Sequence, residues 1–185
     1  VTAFSDSHEP DEPVLSMKMI EERYAAENQL IQSIAQGQVH KAELYINHFN
    51  SRAMEQRVAD PVRNIKNYTI ILNTLLRKAV EYGAVHPLHI DSLSSRFARK
   101  IELITSEEGA MQLQKEMIHK YCLLVKNHSL KGYSLLVRKV LTQIDSDLTA
   151  DLSLKTLAKL LNVNPSYLST LFKKETGSTL TEFVN

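Results

Sequence analysis

The chain has 185 residues, 43% of them hydrophobic, with a formal net charge of +1. That length holds one or two domains with a real core, and the near-neutral charge excludes a polybasic coat, so any nucleic-acid contact must come from a local surface. Five glycines and five prolines argue for long helices and against a many-stranded β protein, and a single cysteine, Cys122, excludes an internal disulfide.

The lone cysteine also suits a reducing cytoplasm. No run of about 18 apolar residues predicts a membrane span, and no charged-then-apolar leader opens the chain. Because it opens at Val1 and not at Met, a longer parent is expected. Residues 1–15 carry Asp6, Glu9, Asp11 and Glu12 with two prolines and little to bury, which predicts a flexible acidic tail.

Residues 16–130 read as an all-helical regulatory or dimerisation domain. From Ser16, Met19, Ile20, Tyr24, Leu30, Ile31 and Ile34 fall at helical spacing, and Gly37 is the stop. A second helix, about Val39 to Phe49, presents Ala42, Tyr45, Ile46 and Phe49, and Ser51 to Ala59 form a polar connection. Asp60-Pro61 opens the best-defined helix as N-cap and first-turn proline, and Gly83 closes it. Its apolar face is Ile65, Tyr68, Leu72, Leu75, Leu76 and Ala79. A polar stripe on the same helix, Arg63, Asn67, Thr74 and Arg77, is either a solvated face or a ligand pocket or subunit interface. His86-Pro87 opens a helix through about Ile104. Thr105 with Glu108 resembles a capping box for the next helix, about Ser106 to Asn127, apolar at Met111, Met117, Ile118, Tyr121, Leu124 and Val125. His128 to Gly132 is a break and the expected domain boundary.

Residues 131–185 form the last domain. A helix from Tyr133 to about Ser146 carries Leu136, Val137, Val140, Leu141 and Ile144. The stretch Leu154 to Leu171 then predicts two short amphipathic helices crossing at a tight turn, with Leu157, Leu161, Val163, Leu168 and Leu171 packed between them. Ala158 lies at the close approach. Asn162 is at the turn, where a positive φ suits asparagine. Asn164-Pro165 is the start signal of the second helix. After Gly177, Ser178 or Thr179 caps a last helix at Leu180. No segment alternates with period two, so the fold class is all-α: a helical regulatory or dimerisation domain followed by a helix-turn-helix DNA-binding subdomain.

The run Leu154-x-x-Leu157-Ala158-x-x-Leu161-Asn162-Val163-Asn164-x-Ser166-Tyr167-Leu168-Ser169-x-Leu171-Phe172-Lys173-Lys174-Glu175-Thr176-Gly177 resembles the first DNA-binding subdomain of AraC/XylS-family transcription regulators. Tyr167 to Gly177 is its distinctive part, and the resemblance covers about Tyr133 to Asn185. It implies two helix-turn-helix subdomains joined by a long helix. Here the second is missing and Thr179 to Asn185 look like the opening of the joining helix, so a fragment truncated in that helix is expected. Less specifically, Arg63-Asn64-x-Lys66-Asn67-Tyr68, Asn73 to Lys78 and His86-Pro87 are similar to the helical region preceding this unit in some such regulators of Gram-positive bacteria. That similarity implies a regulatory or dimerisation role but no ligand; a homodimer is expected through this region, and a small-molecule or protein effector is left open as a partner.

A recognition helix sets its N-terminal residues at base edges in the major groove. Its outward positions are Pro165, Ser166, Ser169 and Thr170, with Lys173 a turn on; by resemblance Ser166, Ser169 and Thr170 match the family's base-reading positions. Short hydroxyls bond to either base type and make no bidentate arginine–guanine contact, so weak base discrimination is expected. Lys155, Lys173, Lys174 and the backbone amides at the Ser153 helix start are the candidate phosphate contacts. The balance over residues 133 to 185 is nearly neutral, so weak, salt-sensitive binding is expected from the chain alone.

His86 and His89 with Asp91, or His119 with Cys122, are permissible metal-ligand sets, but no third and fourth ligand at standard spacing accompanies them, so no metal and no cofactor is expected. No Gly-rich phosphate loop or nucleophile elbow is present, which argues against an enzyme. The reading is therefore a cytoplasmic, sequence-specific regulator that binds promoter DNA. The alternative is a signal-binding or protein-interaction module in which the helix-turn-helix only packs.

Overall fold

The computed structural model describes residues 17–52, 56–146 and 152–184. The predicted acidic tail and most of the stretch before Leu152 lie outside them, as does the side chain of Phe49. Nine α-helices occupy the described residues: α1 Met17–Ala35, α2 Val39–Arg52, α3 Pro61–Tyr82, α4 Pro87–Glu102, α5 Glu107–His128, α6 Leu135–Ser146, α7 Leu154–Leu160, α8 Pro165–Thr176 and α9 Leu180–Val184. No strand forms among them, and the extended pairing is one isolated antiparallel bridge, Val85 with Ser129.

Local chemistry sets most of the boundaries. Asp60 accepts hydrogen bonds from the Val62 and Arg63 amides at 2.9 and 3.3 Å, with Pro61 at the first turn of α3. His86 does the same for α4, its Nδ1 accepting from the Leu88 amide at 3.2 Å. The cap of α5 is one residue later than the Thr105 expectation. Ser106 Oγ accepts from the Gly109 amide at 3.0 Å, which leaves Glu107 and Glu108 in the first turn, where the helix dipole favours acids. Gly83 ends α3 for a steric reason. Its φ is an ordinary −73°, but a Cβ there would sit 2.9 Å from the Ala35 carbonyl oxygen. The left-handed turn falls instead on Ala84, at φ 61°.

Helix α3 is the hub of the larger cluster, packed against α1, α4 and α5, while α5 also meets α1 and α2. Ile34, Ile65, Leu76, Phe97, Met117, Ile118 and Tyr121 are at its centre. A polar chain threads this interior. The Tyr121 hydroxyl donates to Asn73 Oδ1 at 2.7 Å, and Asn73 Nδ2 donates to the Ser94 carbonyl at 3.2 Å. Gln114 Nε2 donates to Thr69 Oγ1 at 2.9 Å, and Asn50 Nδ2 donates to Gln114 Oε1 at 2.8 Å. Burial pushes the Tyr121 phenol well above its usual range and the Cys122 thiol up to about 11, in each case because a charged form would be stranded from water. Several expected core positions instead face out: Met19, Tyr24 and Met111 are exposed.

A second cluster gathers Val137, Val140, Leu141, Ile144, Leu157, Ala158, Leu168, Phe172 and Leu180 from α6 to α9. The two clusters meet at a narrow joint. The Leu130 amide donates to the Ala84 carbonyl at 2.9 Å, and Ser129 Oγ donates to the Gly83 carbonyl at 2.5 Å. No helix among the described residues is long and apolar enough to cross a membrane.

Candidate nucleic-acid interface

Helices α7 and α8 pack through buried Leu157, Ala158, Leu168 and Phe172, with Leu161, Val163 and Leu171 half-buried at the margin. Leu157 and Ala158 are each 1% exposed, and Leu168 and Phe172 are 0%. Ala158 is the small residue of this buried set, as a close approach of the two helices requires. The turn between the helices reverses through Asn162 at φ 54°, the left-handed region that asparagine tolerates. Asn164 Oδ1 then accepts from the Ser166 and Tyr167 amides at 2.8 and 3.2 Å, and Pro165 begins α8. Gly177 closes α8 at φ 82°, its amide bonded to the Lys173 carbonyl at 2.9 Å.

Outside this pair, α6 and α9 brace α8. Ser134 precedes α6, and its amide donates to Glu175 Oε2 at 2.8 Å, while Ser134 Oγ accepts from the Val137 amide at 3.4 Å. In a capping box the acid sits three residues along the same helix. Here an acid from the far end of α8 takes that place. A local box opens α9, where the Thr179 amide donates to Glu182 Oε2 at 2.8 Å and the Glu182 amide donates to Thr179 Oγ1 at 3.3 Å. The backbone bond from Thr179, then the side-chain bond, holds the Glu182 carboxyl below its ordinary range. Phe172 meets Phe183 edge to face, ring centroids 5.4 Å apart.

This bracing leaves one outward face on α8. Pro165, Ser166, Thr170, Lys173 and Lys174 are exposed and Ser169 is half-buried. Thr170 Oγ1 donates to the Ser166 carbonyl at 3.0 Å, so its proton is engaged while its methyl and a lone pair face out. On α7, Lys155 is exposed and Ser153 is committed to capping: its Oγ donates to Thr156 Oγ1 at 2.9 Å and accepts from the Thr156 amide at 3.3 Å. Two exposed residues were not singled out from the sequence as contacts. Tyr167 stands 58% exposed on the outer side of α8, and Lys159 is exposed on α7. Tyr167 was legible: it lies one position from Ser166 and three from Thr170, and so shares a side of the helix with Thr170. Glu175 and Glu182, which make the segment look neutral, are spent on helix starts.

The other sequence candidates fall elsewhere. Arg63, Asn67, Thr74 and Arg77 are all exposed on α3. Thr74 and Arg77 line an open groove with Pro87 and Asp91, and Thr74 Oγ1 donates to its own helix at the Ile70 carbonyl, 3.3 Å away. The polar residues that α3 does bury, Asn64, Thr69 and Asn73, lie one step round the helix. The suggested metal sets do not assemble. His86 caps α4, Asp91 lies in the groove, His119 Nε2 is 2.6 Å from Glu43 Oε1, and Cys122 is sealed in the core. Among the described residues His89 joins a group of three ligand-type side chains, with His128 and Asp145. Burial, then His89 beside it, holds the His128 imidazole below its ordinary value against the pull of Asp145.

A buried two-helix crossing, a left-handed turn and a polar outward second helix define a helix-turn-helix of the DNA-binding class. Residues 144–185 match the family model for bacterial regulatory helix-turn-helix proteins, AraC family. The segment is thus an AraC-family helix-turn-helix, which places the chain in DNA-binding transcription regulation. No curated protein and no solved structure matches the chain.

Proposed function

We propose that the protein is a sequence-specific transcription regulator that sets α8 in the major groove of promoter DNA. Ser166, Ser169 and Thr170 meet base edges, Pro165 packs at the entry of the helix, and Lys155, Lys173, Lys174 and the Ser153 turn hold phosphates. The observation that carries this reading is the outward row on α8, short hydroxyls followed by two exposed lysines, within the AraC-type segment. Tyr167 and Lys159 extend the same face. The role is binding and not catalysis, and it is exercised where promoter DNA is, in the cytoplasm.

The unit formed by α1 to α5 serves as the regulatory and dimerisation part, with the boundary near residue 130. Two copies pair through α1. Met17 and Tyr24, seven positions apart and so on one side of its first half, are 74% and 57% exposed, an apolar strip that a second copy would cover. Arg63, Asn67, Thr74 and Arg77 offer an effector a polar contact surface on α3. A monomer at high concentration in light scattering overturns the dimer.

Fluorescence anisotropy with promoter fragments over a salt series tests the DNA reading. Binding should weaken steeply with salt, and Lys173→Ala or Lys174→Ala should each lower the logarithmic salt slope by about 1. Ser169→Ala should change the ranking of sequences more than it changes that slope. Tight binding that ignores salt, or slopes untouched by either lysine change, refutes this placement of α8.

A further inference from the structure

At the joint between the two clusters, three helices bring together residues far apart in the chain. His89 is in the first turn of α4, His128 is the last residue of α5, and Asp145 lies at the end of α6. His89 Nε2 is 2.9 Å from Asp145 Oδ2, and His128 Nδ1 is 4.0 Å from the same oxygen. The imidazole rings lie 4.0 Å apart at 30°. One ligand atom from each residue falls within 4.8 Å of the others.

We propose that His89, His128 and Asp145 form a Zn2+ site that clasps the α1–α5 unit to α6, the first helix of the DNA-binding unit. The donor set suits a borderline divalent cation: two imidazole nitrogens and one carboxylate oxygen, with no thiolate. Bonds of about 2.0–2.2 Å to a shared ion put ligand atoms roughly 3.3–3.5 Å apart in a tetrahedron. To reach that spacing the His89–Asp145 pair, at 2.9 Å, opens and the His128–Asp145 pair, at 4.0 Å, closes, each by about half an ångström, within the reach of side-chain rotation. His89 and His128 compete for one oxygen of Asp145, and an ion between them gives each nitrogen a bond of its own. Side-chain exposures of 20%, 34% and 41% leave the site open on one side, so the fourth position falls to water or to a small anionic effector. The site is invisible to spacing rules because no two ligands share a helix.

The ion acts on geometry. One backbone bond already pins the link between the units, Leu130 to Ala84, and Ser129 to Gly83 fastens the end of α5 to the α3–α4 turn beside it. A further tie, from α4 and α5 to the far end of α6, fixes the direction in which α6 leaves the joint. The effect on DNA binding rests on the function proposed above, whereas the site itself does not.

The test is titration of the metal-free full chain with Zn2+ by calorimetry, and with Co2+ followed by its visible ligand-field bands. The wild type should bind one equivalent. His89→Ala, His128→Ala and Asp145→Asn should each weaken binding by at least about tenfold, while His119→Ala, which alters an exposed histidine away from the joint, should leave it unchanged. Circular dichroism checks each variant's helix content; if a histidine variant loses it, Asp145→Asn decides, being isosteric. No stoichiometric binding by the wild type overturns the site, as does binding retained in a folded variant or a loss shared by His119→Ala. Anisotropy with and without Zn2+ then reads the coupling separately, so failure of DNA binding leaves the metal result standing.

Discussion

Leu168→Ala is the change that most directly probes how the DNA-binding unit is held. Leu168 is 0% exposed in the smaller hydrophobic cluster, between Leu157 of α7 and Phe172 of its own helix. Three carbon atoms are removed, at about 0.8 kcal/mol each, or about 2.4 kcal/mol. A residual cavity of roughly 50 Å³ at about 24 cal/mol per Å³ adds about 1.2 kcal/mol, for a total of about 3.6 kcal/mol. A unit of roughly 50 residues holds about 5 kcal/mol at 0.1 kcal/mol per residue, so the loss leaves it marginal. Hydrogen exchange read by mass spectrometry resolves where the loss falls. Amides of α8 should lose several hundredfold of protection. Those of α3 and α5 should keep theirs, because their core shares no buried residue with Leu168. An equal fall in all helices would show that the two clusters unfold as one unit and would refute the reasoning. A fall of less than about tenfold in α8 would refute the magnitude.

Three further changes test other parts of the structure. Asn164→Ala removes the cap that receives the Ser166 and Tyr167 amides and should cost about 1 kcal/mol, seen as a lower thermal midpoint with weakened DNA binding. Tyr121→Phe leaves Asn73 Oδ1 without its buried donor and should cost about 1–3 kcal/mol in urea unfolding; a midpoint unchanged from wild type would deny the network a stabilising role. Cys122, its thiol raised from 9.0 to about 11 chiefly by burial, should resist alkylation at neutral pH until the protein is unfolded. The same shift has a sign for stability. The folded state keeps a proton that the unfolded chain releases first, so stability from this group is full below about pH 9 and falls as pH rises toward 11.

The sequence is most transparent where structure is dictated within a few residues. Asp60-Pro61, Asn162 and Asn164-Pro165 each declare a cap or a turn that depends on one side chain and its own backbone, and each sits where its chemistry requires. The helix-turn-helix is legible because its signals are of this kind and fall in fixed register. The interior of the larger unit is less so. Helix α3 is surrounded by α1, α4 and α5, so its buried arc is wide enough to take in Asn64, Thr69 and Asn73, while Arg63, Asn67, Thr74 and Arg77 face water. A periodicity argument that assigns polar residues to one stripe misses that inner set, because pairing with Tyr121, Gln114 and Ser94 comes from other helices. Met19 and Tyr24 carry the right spacing for a core, yet both are exposed, and the Arg23 guanidinium lies over the Tyr24 ring at 5.7 Å. The grouping of His89, His128 and Asp145 depends on how three helix ends meet, which no local pattern encodes.

Glu175 has a consequence for how this protein's genetics should be interpreted. It stands in the run of residues most diagnostic of the recognition helix, and its carboxylate is bonded to the Ser134 amide at the start of α6. A substitution there frees a helix start on the opposite side of the unit while leaving the outward face of α8 intact. On the placement of α8 proposed above, a screen scored on promoter output would rank position 175 beside Ser169 and Lys173, though its carboxylate is bonded to the start of α6. A bond across the unit thus disguises a structural fastening as an address label.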